Sequence, residues 1–224
     1  MNTATQTAER PDTTEMVLVH NAFRRHFAGL PGLVGGVADG DIARAARIAG
    51  FLTELDTGLR HHHSAEDELM WPLLLERAET DSTLILRMEE QHERIAELIE
   101  RADGQAARFA ASAHPQTRAQ LAATLRSLAA ALDEHMAEEE AHILPLVERV
   151  MTVPEWEALG ERGRAAVPKD RQLIFLGFIL QGVPAVERRK FLAAMPFPAR
   201  LAWWLLGRRA FAEEYRSIYG TDPA

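Results

Sequence analysis

His62-His63-Ser64-Ala65-Glu66-Asp67-Glu68-Leu69-Met70-Trp71-Pro72 and His135-Met136-Ala137-Glu138-Glu139-Glu140-Ala141-His142-Ile143-Leu144-Pro145 are two copies of one pattern. In each, a glutamate follows a histidine by four residues, and Pro-Leu comes after five more. The spacing between copies is 73 residues, from His62 to His135 and again from Glu66 to Glu139. A lone histidine precedes each copy, His20 and His92, and these lie 72 residues apart. The chain therefore reads as two halves, each supplying one single histidine and one His-x-x-x-Glu.

Residues i and i+4 share a helical face about one turn apart, so each His-x-x-x-Glu aims both side chains at one spot. The surrounding sequence supports helices. Asp12-Thr13-Thr14-Glu15 offers capping oxygens before Met16, Val19, Phe23, Phe27 and Leu30, which recur at helical spacing. Pro31-Gly32 and Gly35-Gly36 weaken or end that helix. A second helix begins near Asp39-Gly40-Asp41, carries Ile42, Ala46, Ala49, Leu52, Leu55 and Leu59, and continues to about Arg77 with a kink expected at Pro72. Asp81-Ser82 caps a third helix with Leu84, Met88, Ile95, Leu98 and Ile99. His114-Pro115 turns the chain into a fourth, with Leu121, Leu125, Leu128, Leu132, Ile143 and Val147.

Four long amphipathic segments joined by short polar turns predict an all-α, up-and-down four-helix bundle over residues 15–151. A flexible leader, 1–14, precedes it. Beyond Pro154 the texture changes: Pro168, Pro184, Pro196 and Pro198 cut residues 152–224 into short pieces, several of them apolar. These read as a C-terminal extension of short helices that packs on the bundle or on a partner.

Composition narrows the function. The formal net charge of −8 in 224 residues disfavours nucleic acid as the main partner, because a phosphate backbone requires a clustered basic surface. The absence of cysteine removes disulfides, thiolate metal sites, iron–sulfur clusters and cysteine nucleophiles. The longest apolar run, Leu173 to Leu180, is far short of the about 20 residues that span a bilayer, and no secretory signal is visible at the start. No membrane span and a cytoplasmic location are the expectation.

Six side chains brought to the middle of a bundle by four helices form an imidazole–carboxylate set suited to iron, zinc or manganese. Buried carboxylates need a balancing charge, and six ligands on four helices suit two ions better than one. The two quoted segments, with His20 and His92, resemble hemerythrin-like (HHE cation-binding) domains over roughly residues 15–151. That resemblance implies a four-helix bundle holding two iron ions with an oxo or hydroxo bridge. It carries over His20, His62, Glu66, His92, His135 and Glu139 as ligands, with the two glutamates bridging. The oxygen carriers of the family have two histidines four residues apart on the third helix. Here Met88 and Ala96 flank His92 at that spacing, and the fourth helix has Glu139 where the carriers use a later Asp. The five-histidine pattern is absent, which argues against reversible oxygen transport.

Other residues carry weaker expectations. His63 is an additional ligand candidate, although helical geometry turns His61, His62 and His63 in different directions. His142, seven residues past His135, falls near the same face and is a candidate hydrogen-bond or proton partner. His26 is expected at the surface and His114 in a turn. Asp67, Glu68, Glu138 and Glu140 read as solvated faces, with Arg24, Arg25 and Arg94 as exposed counter-charges. Trp71 reads as core; Trp203, Trp204 and Phe211 read as a packing surface. Tyr215 and Tyr219 would reach a metal only if the tail folded over the bundle.

The functional expectation is a di-iron protein that binds or reacts with dioxygen, hydrogen peroxide or nitric oxide, with catalase-like peroxide breakdown as the enzymatic form. Two alternatives are an iron- or oxygen-sensing module that signals to a protein partner through the C-terminal extension, and metal storage.

Overall fold

The computed structural model describes residues 10–78 and 82–223. Most of the proposed leader and the Asp81 cap lie outside them. The first helix, α1 (Thr14–Gly35), begins where the Asp12 carboxylate accepts from the Thr14 N–H at 3.0 Å, and it passes through Pro31 to end at Gly36. The second, α2 (Ile42–Leu69), is capped by Asp41, whose side chain accepts from the Arg44 N–H. The chain does not run unbroken to Arg77. Helix α2 stops at Met70 and a short α3 (Trp71–Arg77) follows, with Pro72 in its first turn. A proline ring crowds the carbonyl four residues back and donates no hydrogen bond, so the break falls just ahead of it.

After α4 (Ser82–Ser112), the His114 ring accepts from the Gln116 N–H and starts α5 (Pro115–Glu138). Here the second proline has a different effect. Glu139–Ile143 forms a π turn, in which the Leu144 N–H reaches back five residues to the Glu139 carbonyl, and α6 (Leu144–Val150) continues from it. The two copies of the sequence pattern thus relieve the same proline in two ways.

Helix α4 packs on α5 and α2, and α5 packs on α1; contact between α1 and α2 closes the bundle. The apolar stripes meet inside, in two separate clusters. One includes Phe27, Leu30, Phe51, Leu52, Leu59, Ile95, Phe109, Leu128 and Leu132. The other includes Met16, Met70, Trp71, Leu74, Met88, Ile143 and Val147. Between them lies a layer that the sequence fills with histidine and glutamate. Ile42 and Ala46 face outward; the buried stripe of α2 runs instead through Ala45, Ile48, Ala49, Leu52, Leu55 and Leu59.

The extension is helical as well: α7 (Val153–Ala165), α8 (Gln172–Leu180), α9 (Ala185–Ala194), α10 (Phe197–Ala202), a π turn at Trp203–Gly207, and α11 (Arg208–Tyr219), which ends at Gly220 with φ 75°. Ile174, Leu176, Phe178, Leu180, Phe211 and Ile218 join the larger bundle cluster. Polar ties hold α11: the Arg44 guanidinium donates to the Ser217 and Ile218 carbonyls, and Arg171 bridges Glu54 and Glu214. Among the described residues, no helix is long and apolar enough to cross a membrane.

Candidate metal centre

The six expected ligands converge in the layer between the two apolar clusters. His20, Glu66, His92, His135 and Glu139 are buried, and the His62 side chain is 12% exposed. Two groups form, each with its candidate ligand atoms within 4.8 Å of one another. His20, His62, Glu66 and Glu139 make one; His63, Glu66, His92 and His135 make the other. Glu66 belongs to both. Its Oε1 lies 3.1 Å from His62 Nε2, and its Oε2 lies 3.4 Å from His92 Nε2. Glu139 Oε2 also faces both groups, 3.3 Å from His20 Nε2 and 3.7 Å from His135 Nε2.

His63 is the main addition. Neighbouring residues on a helix point about 100° apart, so His62 and His63 straddle the layer and enter different groups. Glu66 is i+4 to one and i+3 to the other, and so lies between them. The His63 ring stacks on His92 at 4.0 Å with an interplanar angle of 14°. A fifth imidazole is therefore present, supplied by α2, where the sequence offered His63 as an additional ligand candidate.

The outer nitrogens of three rings are held. His20 Nδ1 is 2.9 Å from Glu140 Oε1, which also accepts from Arg24 at 2.6 Å. His92 Nδ1 is 2.8 Å from Asp67 Oδ1, which also accepts from Trp71 Nε1 at 3.0 Å. His135 Nδ1 is 3.1 Å from Gln91 Oε1, while the Gln91 amide donates to Glu138. Asp67 and Glu140 are thus ring-orienting partners, not simply a solvated face. Such bonds place the outer ring proton and turn the inner nitrogen toward the centre.

The inner nitrogens then crowd together. His20 and His62 Nε2 are 3.2 Å apart, and His92 and His135 Nε2 are 3.1 Å apart. All four carboxylate oxygens of Glu66 and Glu139 are buried without a hydrogen-bond donor, as is His63 Nε2. Acceptors facing acceptors in a dry layer are strongly unfavourable unless positive charge is added. In the metal-free protein only protons can supply it. Burial raises Glu66, and burial with the Glu66 charge raises Glu139. Burial alone would lower His92, but the Asp67 hydrogen bond and the adjacent Glu66 carry it up to about 9. His62, His63 and His135 are held well below the usual histidine range by burial and by the other imidazoles. Two cations sharing the carboxylates satisfy the same atoms, and the nitrogen–oxygen donor set suits first-row metals.

The model of the hemerythrin HHE cation-binding domain matches residues 12–147, well over half of the chain. The chain belongs to this hemerythrin family. Its two His/Glu clusters are consistent with the di-iron centre of a hemerythrin domain. No curated protein and no solved structure matches the chain.

Several expectations around the hemerythrin centre need correction. His142 is exposed and takes no part in it. A π turn advances less per residue than an α-helix, so Glu139–Ile143 rotates His142 off the face it would share with His135. His26 is buried rather than on the surface, and its Nδ1 is 2.7 Å from the Tyr219 hydroxyl. Tyr219 folds over α1 yet reaches His26, not the metal layer. Arg25 is not an exposed counter-charge; it donates to Gln181 and to the Phe178 carbonyl of the extension. Arg94 does pair with Glu134 in solvent, and Trp71 is core. Trp203 and Phe211 are packed, whereas Trp204 projects outward.

Proposed function

We propose that this hemerythrin domain holds two iron ions and binds or reacts with a small oxidant: dioxygen, hydrogen peroxide or nitric oxide. One observation carries the reading. Four donor-less carboxylate oxygens and five imidazoles meet in a buried layer, with Glu66 common to both groups. His20 and His62 would serve one ion and His63, His92 and His135 the other, with Glu66 and Glu139 shared between them.

When bound, the iron pair supplies electron-transfer chemistry toward the oxidant. The chain supplies the rest. Glu140, Asp67 and Gln91 lock the rings of His20, His92 and His135. The apolar clusters above and below exclude water, which strengthens every charge interaction in the layer. His62 is the ring closest to solvent, with the Phe23 ring 5.5 Å from its own. A small ligand would arrive on that side, where Phe23 limits its size.

Catalase-like dismutation of hydrogen peroxide to water and dioxygen is the enzymatic form that we propose, in a cytoplasmic setting. The test is reconstitution with ferrous iron, metal analysis, and an oxygen electrode during peroxide addition. Two irons per chain and oxygen evolution are expected. Glu139→Ala and His62→Ala should lose iron, and oxygen evolution with it. Two retained irons in both variants would overturn the ligand assignment. A fully loaded protein that evolves no oxygen would overturn the peroxide reaction and leave ligand binding.

A further inference from the structure

The extension contains a surface that the metal chemistry does not use. Neither α9 nor α10 has a single buried residue. Phe191 and Leu192 of α9 pack partly on the larger cluster, while α10 runs through the π turn into α11 as one helical stretch, 197–219. The outward face of that stretch is apolar. Phe197, Leu201, Trp204 and Leu205 follow one another at helical spacing and are 66%, 44%, 68% and 61% exposed, with Leu206 beside them at 65%. Trp203 and Gly207 are buried and anchor this ridge to the domain.

Charge identifies what covers it. Residues 185–209 contain Arg188, Arg189, Lys190, Arg200, Arg208 and Arg209 against Glu187 alone, a net +5 in a chain whose total is −8. Arg188, Arg189 and Lys190 are consecutive and exposed, and no ion pair among the described residues engages them. Arg200 lies over the Phe197 ring, 5.8 Å from its centroid, so a cation sits on the ridge itself. The stretch that carries the ridge, a corner of the extension, is thus basic in an otherwise acidic chain, although Arg209 is already paired with Glu213.

We propose that this corner docks on an anionic phospholipid surface. Tryptophan, leucine and phenylalanine on a helix flanked by arginine and lysine have the chemistry of an interfacial anchor: the apolar side chains enter the headgroup boundary and the cations meet lipid phosphates. A second copy fits poorly, because a two-fold contact would set two such basic corners against each other. The acidic remainder of the chain holds the body away from the same surface and orients it with the extension inward. The domain thus lies on a bilayer without crossing it.

The full-length protein is tested by co-sedimentation with phosphatidylglycerol-containing vesicles and with pure phosphatidylcholine vesicles. Binding to the former, weakened by salt, is expected, with little binding to the latter. The combined substitution Trp204→Ser, Leu205→Ser and Leu206→Ser should reduce partitioning by at least about tenfold. Each of Arg188→Gln, Arg189→Gln and Lys190→Gln should reduce it about fivefold. All these side chains are exposed, so helix content by circular dichroism should be unchanged in the variants. Brominated lipid should quench fluorescence in the parent and not in the serine variant. Equal affinity for both vesicle types overturns the proposal. So does absence of binding to either, and self-association or capture of a defined acidic protein, abolished in the serine variant, would then name the occupant.

Discussion

At the scale of single residues, the i, i+4 geometry that paired His62 with Glu66 and His135 with Glu139 is local, and a repeated local pattern is readable without knowing any neighbour; His20, His92 and the candidate His63 stood out beside it. Gln91, Asp67 and Glu140 act across helices, so their roles depend on how one helix is rotated against another. No spacing within one segment encodes that rotation, and for this reason they were obscure in the sequence. A buried carboxyl outside the metal layer shows the same limit. Asp56 looks like an ordinary polar position on α2, yet it is buried with neither oxygen hydrogen-bonded. Burial and the nearby Asp103 carboxylate push it up to about 8. The folded state therefore keeps a proton that the unfolded chain releases near pH 4. Its contribution to stability is present below that pH and is lost as pH rises toward about 8. Asp56→Asn should gain stability relative to the parent across this window, measured by urea unfolding of the metal-free proteins at several pH values. A gap between the two that does not change with pH would contradict it.

At the scale of elements, Pro72 announced a kink in a helix continuing to about Arg77, and the structure instead ends α2 at Met70 and starts a new helix. Pro145 occupies the matching place, but the π turn that accommodates it was not legible. Either a kink or a wider turn relieves a proline, and the choice depends on the packing of Ile143, Leu144 and Val147 around it. The extension helices were legible from proline punctuation and apolar runs, although not their docking. That docking depends on close approach at Gly177, where a Cβ would overlap the Phe211 ring. Gly177→Ala should destabilise the protein by roughly 1–3 kcal/mol through overpacking. It should also open α11 to proteases before α1 or α4, which limited proteolysis with mass spectrometry would reveal. An unchanged cleavage order and melting temperature would show that α8 and α11 adjust freely.

At the scale of the molecule, the bundle and the extension share one apolar cluster. Phe178, Phe211 and Ile218 pack with Phe27 and Phe51, and the Tyr219 hydroxyl meets buried His26. Truncation after Met151 would bare that cluster and take the Tyr219 partner from His26 Nδ1. The shortened chain is expected to melt lower and to aggregate at concentrations where the full chain stays monodisperse, as light scattering would report. A truncated chain of parental stability would show that the bundle is self-sufficient. The apolar character of residues 173–180 hinted at this dependence. Which side of the bundle they would cover was not encoded in any local pattern.

Glu66 is one carboxylate serving two addresses. A change there cannot be confined to one group: Glu66→Gln would remove a charge that faces His62 on one side and His92 on the other. The two candidate metal positions thus share a single point of failure, and losing that one side chain would weaken both together.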